Sequence, residues 1–97
     1  MIFKIKDKSG REIHLSKERW KHITENHPKM SNLEKIEEIK DTLIKPDLIV
    51  PHKFDDSKRN YYKYYKEKKR YLLVAVKYLN GEGRVSTSFV TRKIIRR

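Results

Sequence analysis

The sequence predicts an α+β domain: an N-terminal β-hairpin, two helices, and then a roughly four-stranded antiparallel sheet. Three observations lead there. Both segments with helical periodicity lie before Pro46, and the strand-like segments after it follow one another without a helix between them, the order of α+β folds rather than of alternating parallel ones. The stretch Tyr71 to Leu79 is apolar on both faces apart from Lys77, which fits a central strand. Ninety-seven residues give room for a single domain with one modest core.

The elements follow in order. Ile2-Phe3-Lys4-Ile5 and Glu12-Ile13-His14-Leu15 alternate apolar and polar residues around Ser9-Gly10, as a short hairpin does. Ser16 is placed to cap a first helix from Lys17 to about Asn26, with Leu15 and Trp20 at the spacing of a hydrophobic staple. That helix ends before Pro28, because the residue preceding proline avoids helical angles. Ser31 and Glu34 have the spacing of a capping box for a second helix. Leu33, Ile36, Ile39 and Leu43 form its apolar stripe, and Pro46 stops it. Leu48 to Val50 reads as a short strand, His52 to Asn60 as a loop, and Tyr61 to Lys66 as a strand. Tyr71 to Leu79 and Arg84 to Thr91 then pair around the hairpin turn Asn80-Gly81-Glu82-Gly83.

Charge narrows the partner. Residues 1–58 hold 13 Lys/Arg against 11 Asp/Glu, a net of +2, whereas residues 59–97 hold 12 against 2, a net of +10. A thermally adapted surface raises Glu and Lys together, so this one-sided balance instead marks a polyanion partner. The chain has no cysteine, which removes disulfides, thiolate nucleophiles and Cys-based zinc sites and fits a reducing compartment. The first residues lack the apolar run of a signal peptide, and the longest apolar run is far too short to cross a membrane. A soluble, cytoplasmic protein that binds nucleic acid, with no membrane contact and no cofactor, is the expectation.

Three clusters carry candidate chemistry. On the first helix Trp20, Ile23 and His27 share one face, and Arg19, His22 and Asn26 a neighbouring one. Two histidines near a helix end suit proton transfer near neutrality, but they equally suit a helix terminus and a solvated surface. Zinc is disfavoured: His22 and His27 are i, i+5, about 140° apart on a helix, where paired ligands sit at i, i+4. Lys77 interrupts the central strand and must reach either solvent or an anion. The run Arg84-Val85-Ser86-Thr87-Ser88-Phe89-Val90-Thr91-Arg92-Lys93 alternates hydroxyls and cations that suit phosphate contacts. With a two-residue turn, Ser86 and Ser88 share the Lys77 face and Thr87 takes the other, and a bulged turn reverses this. Tyr61, Tyr62, Tyr64 and Tyr65, interleaved with Lys63 and Lys66, set stackable rings beside cations, although at least two of the four belong to the core.

The segments Arg19-Trp20-Lys21-His22-Ile23, His27-Pro28, Lys45-Pro46-Asp47-Leu48-Ile49, Tyr71 to Lys77 and Ser86 to Ile94 occur in an order that resembles the phage Barnase–EndoU–Colicin E5/D–RelE-like (BECR-fold) nuclease domains over roughly residues 15–95. These are small metal-independent ribonucleases of phage proteins and bacterial toxin systems. The resemblance implies two helices before a four-stranded antiparallel sheet, and RNA cleavage by attack of the ribose 2′-oxygen on the adjacent phosphate. It implies catalytic roles for His22, His27, Lys77 and Thr87; the pattern of cations, hydroxyls and tyrosines separately suggests a substrate-binding set of Arg19, Tyr65, Arg84, Ser88, Thr91, Arg92 and Lys93. The sequence departs from the family pattern at Lys29, where an acidic residue is common, and at Ser88-Phe89, where a small residue and tyrosine are common. A non-enzymatic RNA- or DNA-binding module, and a module holding an acidic partner such as an antitoxin or immunity protein, are the competing readings.

Overall fold

In the computed structural model, which describes residues 1–94, both helices lie on one face of a six-stranded sheet. Arg96 and Arg97, counted in the C-terminal charge, and Ile95, within the family-like stretch, lie outside the described residues. The elements are β1 (Phe3–Lys6), β2 (Glu12–Leu15), α1 (Lys17–Asn26), a 3-10 turn (Pro28–Met30), α2 (Leu33–Ile44), β3 (Leu48–Pro51), β4 (Lys58–Tyr65), β5 (Arg70–Leu79) and β6 (Glu82–Thr91).

The sheet order is β1-β2-β6-β5-β4-β3. This corrects the expected four-stranded antiparallel sheet. The N-terminal hairpin joins the later meander through a parallel pairing of β2 with β6, at Ile13 with Gly83 and His14 with Arg84, so the sheet has six strands and is mixed. The other neighbours are antiparallel. Gly83 permits the junction. A Cβ there would stand 3.0 Å from side-chain carbons of Ile13, Val76 and Tyr78, all buried, so glycine lets the strands close without displacing these neighbours.

Local signals explain the helices. The Ser16 hydroxyl accepts the Arg19 amide at 3.0 Å and caps α1 as expected. α2 is capped one residue later than predicted, because Ser31 closes the 3-10 turn on Pro28 and Asn32 accepts the Glu34 amide at 2.9 Å instead. Ile39 and Leu43 of α2 are buried, with Ile36 packed against them, but Leu33 is 79% exposed and leaves the expected stripe. Ile23, Met30, Ile39 and Leu43 close over Ile13, Leu15, Tyr61, Leu72, Val74, Val76, Tyr78 and Val85. This is the main core.

Asp7 locks the hairpin to the rest of the sheet. Its carboxylate accepts the Ser9 hydroxyl at 2.6 Å, the Arg11 amide at 3.0 Å, and the hydroxyls of Tyr61 and Tyr78 at 2.6 and 2.7 Å. The two phenols also hydrogen-bond each other. Burial alone would push the Asp7 carboxyl up, but these donors together hold it below the usual aspartate range. Burial, and then the Asp7 carboxylate, push the Tyr61 phenol up to about 12.

Candidate active site on the open face of the sheet

Strand alternation divides the sheet residues between the helix-covered face and an open one. Pairing registers place Lys4, His14, Arg84, Lys77 and Lys58 directly opposite one another across β1, β2, β6, β5 and β4. At about 4.8 Å per strand, this row of basic residues runs about 19 Å across the sheet. Lys4 reaches Glu12 at 3.2 Å and Lys58 approaches Asp55 at 3.9 Å. Among the described residues, no carboxylate oxygen lies within 4 Å of Lys77 or Arg84. Like charges placed opposite each other destabilise a sheet, and a polyanion lying along the row reverses the sign of that contribution. Asp55 is the local counter-charge; the Ser57 hydroxyl first, with the Ser57 amide, and the Lys58 and Lys77 charges hold its carboxyl below the usual range.

Beside the row lies a cavity of about 290 Å³ lined by His52, Lys58, Asn60, Ala75, Thr87 and Phe89, with Leu73 in its wall. A β-bulge builds it. Asn80 and Gly81, with φ of 53° and 82°, form the two-residue turn that pairs Leu79 with Glu82. The register then shifts between Ala75 and Val76, so that Val76 faces Val85 but Ala75 faces Thr87. Ser86 is the extra residue, and its hydroxyl is directed at the Ala75 carbonyl at 3.2 Å. From there on, Thr87 and Phe89 share the Lys77 face and Ser88 turns inward. Expectation from a two-residue turn alone had these positions reversed.

α1 packs against β6, and this brings its C-terminal residue round to the open face. His27, which ends α1, stacks on Phe89 with ring centroids 4.9 Å apart and an interplanar angle of 27°. Among the described residues no hydrogen bond reaches its ring nitrogens. His52 is held differently: its Nδ1 accepts the Phe54 amide at 3.2 Å, so the proton of the neutral ring resides on Nε2.

The expected site residues divide into two groups. Lys77, Thr87 and Arg84 share the open face, and His27 packs on the cavity wall through Phe89. Arg19 lines a neighbouring depression with His14, Ser16 and Arg84, and Lys77 lines another with His14 and Arg84. His22 is exposed on α1 and outside the cavity lining. Ser88 is buried, its hydroxyl donating to the Leu73 carbonyl at 2.7 Å. Tyr65 packs against the main core, its phenol raised by burial and then by the Glu38 charge. Thr91 lies on the open face opposite Tyr71, but its hydroxyl is engaged with the Lys93 backbone. Arg92 and Lys93 are exposed beyond β6.

Sequence reasoning missed Lys58, Asn60 and His52 as a group, because residues 52–60 read as a loop. The signal was present: once Tyr61 is a core residue, alternation sends Asn60 and Lys58 to the opposite face. Among the described residues no three His, Asp or Glu side chains gather as a metal-binding group, and no helix is long and apolar enough to cross a membrane.

The chain matches the family model described as phage-Barnase-EndoU-ColicinE5/D-RelE like nuclease2 over residues 3–97. No curated protein and no solved structure matches it.

Proposed function

This chain belongs to the phage-Barnase-EndoU-ColicinE5/D-RelE like nuclease2 family, and from that premise we propose that it is an endoribonuclease whose reaction takes place in the open-face cavity without a metal ion. The observation that carries this reading is the meeting of Lys58, Asn60, Thr87 and His52 around one cavity, with His27 stacked on its Phe89 wall and Lys77 directly opposite Lys58.

The chemistry follows from what RNA requires. A base removes the 2′-hydroxyl proton, the 2′-oxygen forms a bond to phosphorus, and the bond from phosphorus to the 5′-oxygen breaks. The leaving oxygen takes a proton, giving a 2′,3′-cyclic phosphate and a 5′-hydroxyl. His27 is the base in this reading, since its ring is oriented by stacking and neither nitrogen has a hydrogen-bond partner among the described residues. The Lys77 ammonium supplies the proton to the leaving oxygen. Negative charge grows on the non-bridging oxygens, where Lys58, the Thr87 hydroxyl, the Asn60 amide and the His52 Nε2–H act as donors. Arg84 and the rest of the row hold flanking phosphates. Lysine and arginine thus provide the charge neutralisation that a divalent cation provides elsewhere.

His22 takes no part in this scheme, and His22→Ala is expected to retain near wild-type activity. The test is incubation of purified protein with RNA in EDTA. Cleavage by the wild type and its loss in both His27→Ala and Lys77→Ala support the proposal, whereas intact RNA with every protein contradicts it. The same basic row offers complementarity to an acidic antitoxin or immunity protein that would compete with RNA for it.

A further inference from the structure

We propose that Phe54 is a base-stacking residue that selects an unpaired nucleotide beside the cavity, an inference that rests on the nuclease reading above. Phe54 is 83% exposed. A ring this exposed forgoes most of the stabilisation that burial would give it. A single exposed apolar residue needs no explanation by itself. This one is set apart by where it stands and how it is held.

The loop between β3 and β4 that carries Phe54 is tied at several points. The Phe54 amide donates to His52 Nδ1, the His52 amide to the Lys58 carbonyl at 3.0 Å, and the Tyr78 amide to the Ser57 carbonyl at 2.7 Å. The Asp55 carboxylate accepts both the amide and the hydroxyl of Ser57 at 2.9 and 2.5 Å. Residues on both sides of Phe54, namely His52 and Lys58, line the cavity. The ring therefore stands next to His52, a cavity-lining residue, on a loop tied to β4 and β5.

Its surroundings indicate the ligand. The Phe54 ring meets the His52 ring edge-on at 6.5 Å, and Lys53 Nζ lies 5.4 Å from its centroid. An aromatic ring beside Lys53, next to a cavity lined by Lys58, is the combination that binds single-stranded nucleic acid, with a base on the ring and phosphates on the cations. Bases within a duplex are stacked on their neighbours and do not present a face to such a ring. The inferred substrate class is therefore RNA that is unpaired at the cleavage site, such as a single strand, loop or end.

The test compares wild type, Phe54→Ala and Phe54→Trp. Binding is measured to a 2′-O-methyl oligonucleotide, which lacks the attacking hydroxyl, as a single strand and annealed to its complement. Cleavage kinetics are measured on the corresponding RNA. Phe54→Ala is expected to weaken single-strand binding about 5- to 150-fold, to leave duplex binding unchanged, and to raise KM far more than it lowers kcat. Phe54→Trp is expected to restore binding, and the fluorescence of its new indole to be quenched by the single strand. Wild-type affinity and KM in Phe54→Ala would overturn the proposal, leaving the nuclease reading intact and the ring free for a protein partner. An equal loss on single strand and duplex would overturn it too. Failure of the wild type to bind or cleave any RNA would overturn the reading on which it rests.

Discussion

His27 and Phe89 lie 62 positions apart in sequence, yet their rings stack at 4.9 Å between centroids, joining the end of α1 to the open face of β6. Two local features produce this contact. Pro28 ends the helix with His27 as its cap, and the bulge at Ser86 turns Phe89 away from the main core onto the smaller apolar cluster of Val50, Tyr62 and Leu73. The stack orients a histidine whose ring nitrogens have no hydrogen-bond partner among the described residues. Phe89→Ala is therefore expected to lower kcat about ten- to hundredfold, the scale of a misplaced reacting group. Phe89→Tyr, which keeps the ring, is expected to retain activity. Steady-state kinetics on one RNA, with circular dichroism to check folding, measures both.

The row formed by Lys4, His14, Arg84, Lys77 and Lys58 is expected to govern the salt dependence of binding. Each cation in contact with a phosphate contributes about 0.7 to the slope of log affinity against log salt on a single strand. Arg84→Ala and Lys58→Ala should each lower the slope by about that amount, and the double variant by about twice as much. Titrations of a 2′-O-methyl oligonucleotide from low to high salt provide the slopes.

The Asp7 network gives stability two pH limits. Because the folded Asp7 carboxyl lies below its unfolded value, its contribution is full above about pH 4 and is lost as pH falls through the folded pKa. Tyr61 is the opposite case. Its phenol is raised from 10.0 to about 12, so its contribution is full below pH 10 and is lost as pH rises through 12. Urea unfolding across the pH range should show both losses. Asp7→Asn should be less stable at neutral pH and should flatten the acid limb.

Gly83 is where the two parts of the sheet meet. Gly83→Ala places a methyl group 3.0 Å from carbons of Ile13, Val76 and Tyr78 within a closed core. The expected cost is about 1–3 kcal/mol, read as a lower urea midpoint. Gly81→Ala, where the added Cβ meets open space but φ is 82°, tests a different effect: strain in the turn without a clash.

What the sequence made legible was local. Ser16 before α1 and Pro28 after it act on residues within a few positions and appear as read, while the hairpin turn expected over Asn80 to Gly83 closes more tightly, on Asn80-Gly81 alone. The cap at Asn32 and the strand start at Lys58 moved by only a few positions. The mixed sheet was not legible, because Ile13 and Gly83 are 70 positions apart and neither segment encodes its partner. The faces of Thr87 and Ser88 depended on a bulge that local propensity does not mark. That single shift decided which hydroxyl reached the cavity and which entered the core. Lys77 was recognisable as an anomaly in an apolar strand, but its place in a row needed the register of every neighbouring strand.

The proposed reaction uses the ribose 2′-oxygen in the cavity lined by Lys58 and Thr87, with His27 stacked on its Phe89 wall. The most direct measurement places one 2′-deoxy nucleotide at a mapped cleavage site in an otherwise unmodified RNA, with EDTA present. The site is expected to become resistant while other sites are still cut, and the uncut control RNA to yield 2′,3′-cyclic phosphate and 5′-hydroxyl ends. Cleavage at the deoxy position, or products ending in 5′-phosphate, would rule out attack by the 2′-oxygen.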